Sequence, residues 1–211
     1  GLTETNAVGC GIINENYVAK PMSTGPASKP LVDLAILDDN GEPVAQGGVG
    51  EVCIRSVCNF EGYWNNTAAT KAAFFDNGYF RSGDLGYLDE DGYLFIVDRK
   101  KDIIIRGGEN ISCQEVEAAI YEHADTNECA VFGLPDERLG EVVGAVVWVK
   151  PGSSLTAEDM CSFISQRLAP YKVPCKIWMS NDALPKLGSE KIDKVSLRNQ
   201  YRAEYAAEVV A

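Results

Sequence analysis

Val97-Asp98-Arg99-Lys100-Lys101-Asp102-Ile103-Ile104-Ile105-Arg106-Gly107-Gly108 is the stretch on which the reading of this chain turns. A charged run, Asp98–Asp102, parts two apolar strand-like segments, Tyr93–Val97 and Ile103–Ile105. Before the run, the sequence offers short strand signals broken by tight turns. After it, apolar residues recur at helical spacing between buried strand runs. The change of pattern predicts two units of different character joined by the charged run.

Upstream, Leu31–Leu37 and Gly50–Arg55 read as strands, with the turn signal Asp38-Asp39-Asn40-Gly41 after the first. Residues 1–30 are rich in Gly, Ser and Pro and read mostly as loop. Asn66–Phe74 is helix-like, with Thr67 as its expected cap. Gly86–Leu88 and Tyr93–Val97 are further strands around the turn Asp89–Gly92. Short strands at close spacing predict a small β-barrel-like subdomain.

Downstream, Ser112 with Glu115 three residues on is a capping box for a helix whose apolar face is Val116, Ala119 and Ile120. Asn127–Leu134, Val142–Val149 and Cys175–Met179 read as strands, Thr156–Leu168 and Asp193–Tyr205 as helices. The expected class is α+β: the barrel-like subdomain over residues 1–98, a hinge over 99–102, and a mobile unit over 103–211 with a three-stranded sheet and three helices.

Composition narrows the function. The 211 residues carry a net charge of −12, which disfavours a nucleic-acid partner because phosphate backbones need Lys/Arg stripes. Seven cysteines, an odd number with no CxxC, and a single histidine predict free thiols in a reducing, cytoplasmic setting and no zinc site. No apolar run approaches the ~20 residues of a membrane span. The chain starts at Gly1 with no Met and no lead-in, which reads as a fragment or a cleaved product.

Five segments carry chemistry in a fixed order: Gly1-Leu2-Thr3-Glu4-Thr5, Tyr79–Gly86, Asp98–Asp102, Arg106–Asn110 and Pro185–Asp193. Glu4 is a lone carboxylate between two hydroxyls. Asp84, flanked by Gly83 and Gly86, suits the two hydroxyls of a ribose, since one carboxylate accepts two hydrogen bonds. Arg99 carries a planar donor fork of the kind that suits diol oxygens. Without context each segment also fits a turn or a solvated charge run.

Together and in order, these segments resemble the adenylate-forming superfamily of acyl-CoA synthetases, peptide-synthetase adenylation domains and luciferases, over essentially the whole chain to about residue 200. The resemblance implies that ATP and a carboxylic acid give an acyl-adenylate, which coenzyme A then converts to a thioester. It implies Glu4 as the Mg²⁺ ligand, and Thr3 and Thr5 as hydroxyls facing phosphate and acyl oxygens. Asp84 and Arg99 would hold the AMP ribose, and Gly108 would line the pantetheine path. Lys101 would be the hinge and Lys191 the catalytic cation. Lys186 and Lys194 are neighbours of Lys191, so that assignment rests on spacing to Pro185 and Ile192.

The segment Gly107-Gly108-Glu109-Asn110-Ile111 is most similar to fatty-acyl-CoA synthetases, implying a fatty acid as substrate. The oligomeric state is left open. Two departures stand out: Glu190 where the family usually has Gly, and Ser82 where it usually has Thr. The other readings are an aryl-acid or carrier-loading adenylate former, and a degenerate AMP-binding module motivated by Glu190. The family's phosphate loop and acyl pocket lie N-terminal to the Thr3-Glu4-Thr5 segment, so the 211 residues alone are expected not to turn over substrate.

Overall fold

The computed structural model describes residues 1–210, with side chains to Glu208. The chain forms two compact units, Gly1–Lys101 and Asp102–Ala211. Each has its own sheet.

The first unit opens with a 3₁₀ turn, Thr3–Thr5, and a short helix α1 (Asn14–Ala19). α1 buries no residue, so it lacks the apolar periodicity that would distinguish it from the loop expected there. β1 (Gly25–Pro26), β2 (Val32–Leu37) and β3 (Gly50–Ser56) follow, then α2 (Thr67–Ala72), β4 (Phe80–Leu88) and β5 (Tyr93–Arg99). β2 and β3 pair antiparallel, Leu37 opposite Glu51. The turn after β2 is organised by Asp38, whose Oδ1 accepts from the amides of Asn40 (2.8 Å) and Glu42 (2.9 Å). Asn66, not Thr67, caps α2, its side chain accepting from the Ala69 amide at 3.0 Å.

The strands form one sheet in the order β1-β5-β4-β3-β2. The sheet is open, with β1 and β2 at its edges, which corrects the expected barrel. β4 pairs along both edges and runs nine residues rather than the three expected, because Gly83 and Gly86 and the polar residues around them mask it in the sequence. Ile36, Val52 and Leu94 form the core, and Phe60, Phe74 and Phe80 cluster with ring centroids 5.6–5.8 Å apart.

A 3₁₀ turn, Lys100–Asp102, leads into the second unit. Its elements are β6 (Ile104–Arg106), β7 (Glu109–Ile111), α3 (Cys113–Tyr121), β8 (Thr126–Asp136), β9 (Gly140–Val149), α4 (Ala157–Ser165), β10 (Lys176–Ser180) and α5 (Lys194–Val210). The sheet has five strands rather than three. β8 lies antiparallel to β9, β10 lies parallel to it, the three-residue β6 pairs antiparallel with it at Arg106–Gly140, and β7 pairs with β6. Strands that short leave little period-2 signal.

β8 and β9 are apolar on both faces because helices cover both. Val131, Val143, Ala145 and Val147 pack with Val116 and Ile120 of α3 and Met160 and Ile164 of α4. Ala130, Phe132, Leu134, Val142 and Val146, one step out of phase, pack with Leu197 of α5. Ser112 caps α3 through the Glu115 amide (3.1 Å), but the Glu115 carboxylate pairs with Lys172 (2.6 Å). α4 has the full reciprocal box of Thr156 and Asp159.

Candidate functional site

In the first unit the geometry converges on a distorted stretch of β4. Between the pairs Glu51–Leu85 and Cys53–Arg81, β4 has three residues, Ser82, Gly83 and Asp84, where β3 has one. On its other edge the register with β5 also shifts, between Leu85–Asp98 and Gly86–Ile96. Irregularities of this kind re-aim side chains out of the regular ladder. Gly83 has φ +73°, a conformation that a Cβ would strain. Asp84 stands opposite Arg99, and Arg99 Nε lies 2.9 Å from Asp84 Oδ1. Asp84 is 19% exposed and Arg99 44%. Beside them is an open recess of about 350 Å³ lined by Gly83, Arg99, Lys100 and Lys101.

The bulge is held from behind by a residue absent from the sequence expectations. The Glu51 side chain is 3% exposed. Its carboxylate accepts from the Gly83 amide (3.2 Å), Arg81 Nη2 (2.9 Å) and Lys100 Nζ (3.0 Å). Burial alone would raise the Glu51 pKa, but Arg81 and Lys100 outweigh it and hold the carboxyl below its ordinary value. Lys100 also pairs with Asp39, and its pKa is raised: burial pulls it down, and the two carboxylates more than reverse that. The available signal was an acidic residue in phase with Cys53 on an otherwise apolar strand.

Glu4 lies in the opening 3₁₀ turn, its carbonyl accepting from the Phe60 amide (2.8 Å) and its Oε1 from the Tyr63 hydroxyl (3.1 Å). Burial and then the Glu4 carboxylate raise the Tyr63 pKa. Thr3 is exposed. Thr5, expected to offer its hydroxyl to substrate oxygens, is fully buried, and its Oγ instead bonds the Leu2 backbone at 3.2 Å. A hydroxyl turned into its own turn caps the backbone there.

In the second unit, Gly107 and Gly108 are the two turn residues of the β6–β7 hairpin, with φ +58° and +93°. Two positive φ values mark the tight mirror-image hairpin turn that favours Gly-Gly. Apart from Gly108 and its two chain neighbours, no atom of the described residues lies within 4 Å of where a Gly108 Cβ would be, so one side of the turn is open. Lys191 sits on another hairpin, closed by the Lys186–Ile192 bridge and by bonds from the Leu187 amide to the Lys191 carbonyl (2.8 Å) and from the Glu190 amide to the Leu187 carbonyl (2.9 Å).

The structure separates the three lysines of this segment. Lys186 pairs with Glu128 at 2.8 Å and Lys194 with Glu117 at 2.7 Å. Lys191 is exposed and in no ion pair among the described residues, Glu190 included. His123 bonds the Asp125 amide through Nδ1 (3.2 Å) and stacks edge-on with Phe163, a structural part.

The profile for AMP-binding enzymes matches residues 1–64, and that for the AMP-binding enzyme C-terminal domain matches residues 115–191. The long-chain-fatty-acid–CoA ligase FadD13 of Mycobacterium tuberculosis is 41% identical over 202 residues, 96% of this chain and 39% of that protein. The chain belongs to the AMP-binding enzyme family. Relatives in that family include acyl- and aryl-CoA ligases.

Solved AMP-binding enzymes agree in fold. ATP-bound MatB from Rhodopseudomonas palustris superposes with a TM-score of 0.86 at 33% identity, over 97% of this chain and 40% of that one. The o-succinylbenzoate CoA synthetase MenE from Bacillus subtilis, in complex with its acyl-adenylate intermediate, gives 0.86 at 32% identity, over 93% and 40%. The chain thus spans about 40% of the length of these relatives. Glu4 lies in the first matched segment and Lys191 ends the second, while Asp84 and Arg99 lie between the two.

Proposed function

We propose that this chain supplies the ribose-holding edge and the lysine-bearing lid of an ATP-dependent acid–thiol ligase. The observation that carries this reading is the Asp84–Arg99 pair, aligned across β4 and β5 at the rim of the recess. Asp84 accepts the two ribose hydroxyls, and Arg99 both orients that carboxylate and donates to the sugar oxygens.

In the first half-reaction a substrate carboxylate oxygen attacks the α-phosphorus of ATP, a P–O bond forms, and the α–β bridging bond breaks to release pyrophosphate. Negative charge grows on the α-phosphate oxygens, and the Lys191 ammonium, free of a carboxylate partner, stabilises it. In the second, the sulfur of coenzyme A attacks the acyl carbonyl, the thiol proton is lost, and AMP leaves. Rotation about Lys101 exchanges the two arrangements, taking Lys191 away and bringing the Gly107-Gly108 turn to the thiol's path.

Glu4 fits a Mg²⁺ site of the kind this chemistry uses. Among the described residues no cluster of three or more His, Cys, Asp or Glu could hold a metal alone. Mg²⁺ bound with nucleotide needs only one or two carboxylates, the rest being phosphate oxygens and water. Bound there, it would neutralise triphosphate charge, and the Tyr63 hydroxyl keeps the Glu4 carboxylate oriented.

The 41% identity to a fatty-acid ligase favours a fatty acid as substrate, while the likeness to a succinylbenzoate ligase supports an aryl acid as the second reading. An odd number of cysteines with no CxxC supports a reducing compartment. Calorimetric titration of the full-length protein with AMP tests the ribose site. Asp84→Ala should weaken binding at least about 100-fold, because it removes two hydrogen bonds to a charged group that contribute about 1.5–3 kcal/mol each. Unchanged affinity would overturn the assignment.

A further inference from the structure

A lid that delivers a cation by rotation must hold that cation rigidly, since a misplacement of about 1 Å at a reacting centre costs about 100-fold in rate. Lys191 is exposed just past the turn of its hairpin, so the stiffness has to come from the base. The base is anchored twice. On one side Leu184 is buried, and Glu128 of β8 accepts both the Leu184 amide (3.1 Å) and the Lys186 ammonium (2.8 Å). On the other side Leu197 is buried, and Glu117 of α3 accepts the Val131 amide (2.8 Å) and the Lys194 ammonium (2.7 Å). Between them the Asp193 amide bonds the Pro185 carbonyl at 2.8 Å, closing the stem.

We infer that Glu117 and Glu128 are positioning residues for Lys191, clamping the two ends of the hairpin that carries it. This rests on the reading of Lys191 as the adenylation cation. Exposed ion pairs contribute little, but these carboxylates are 12% and 16% exposed, and each is fixed by a backbone amide as well as by a lysine. The arrangement also explains why Lys191 alone of the three lysines is left to act. The two carboxylates at the base are already neutralised by Lys186 and Lys194, so neither competes with the phosphate for Lys191.

The test uses the full-length protein and separates the half-reactions: acyl-adenylate formation at saturating ATP, and thioester formation from supplied acyl-adenylate. Glu128→Gln, Glu117→Gln and Lys186→Gln should each slow the first about tenfold, leave the KM for ATP unchanged, and leave the second within about twofold. Lys186 is exposed, so its substitution reads the clamp without risk to the core. Glu128→Gln combined with Lys186→Gln should lose no more than either alone, as expected for two halves of one contact. An unaltered first step, or an equal fall in both half-reactions with a lowered melting temperature, would overturn the clamp. Lys191→Ala in the same assay distinguishes the two levels. If it abolishes the first step and the clamp variants leave that step unaltered, only the positioning role fails. If it leaves the first step intact, the proposed function fails and the clamp with it.

Discussion

Glu190 has φ +62° at the turn that leads into Lys191. A left-handed backbone costs a residue with a Cβ about 1–2 kcal/mol, and glycine nothing. Glycine would lose about 0.5–1 kcal/mol in extra unfolded-state freedom, so the strain is the larger effect. Glu190→Gly should therefore stabilise the protein by about 0.5–1 kcal/mol, read as a higher urea midpoint at constant slope. A lower midpoint would show that the Glu190 side chain makes up for its backbone. The sequence revealed that Glu190 departs from the family pattern, but not its consequence. The structure shows backbone strain rather than a pair with Lys191. Glu51 carries the second residue-scale prediction. Its pKa is lowered on folding, so the stability it contributes is present above the ordinary glutamate value of 4.5 and is lost as pH falls through the folded value. The stability gap between the wild type and Glu51→Gln, about 1–2 kcal/mol at pH 7, should shrink below pH 4.5. A gap that persists in acid would mean that packing, not charge, is what Glu51 provides.

At the scale of elements, the 3₁₀ turn Lys100–Asp102 is where the division between the units falls. Lys100 is tied back to the first unit by Glu51 and Asp39, whereas Lys101 is exposed and in no ion pair among the described residues. A pivot placed at Lys101 therefore begins where the tethering ends. Lys101→Pro fixes φ near −65° and removes an amide donor. It should slow one half-reaction at least about tenfold more than the other in the full-length protein. Equal losses would argue against rotation at this residue. The elements most legible in the sequence were those with a buried stripe: α3, α4, β8 and β9 follow from Val116, Ile120, Met160, Ile164 and the apolar strand runs. α1 could not be read because it buries nothing, β4 because its glycines and polar residues serve a bulge, and β6 and β7 because three residues hold barely one period.

For the whole molecule, two cores divide the chemistry. The first unit holds Glu4, Asp84, Arg99 and Lys101, and the second holds Gly108 and Lys191. The order of these residues was legible because the motifs are contiguous in sequence. The residues that hold them, Glu51 behind the bulge and Glu117 and Glu128 under the hairpin, were not, because each acts across a fold from a position with no local pattern. In the proposed function the second unit carries the cation and the first builds the nucleotide edge. The most direct measurement is single-turnover acyl-adenylate formation by the full-length protein with Lys191→Ala. The rate should fall about 10²–10³-fold while thioester formation from supplied acyl-adenylate is retained. An undiminished rate of adenylate formation would contradict the account.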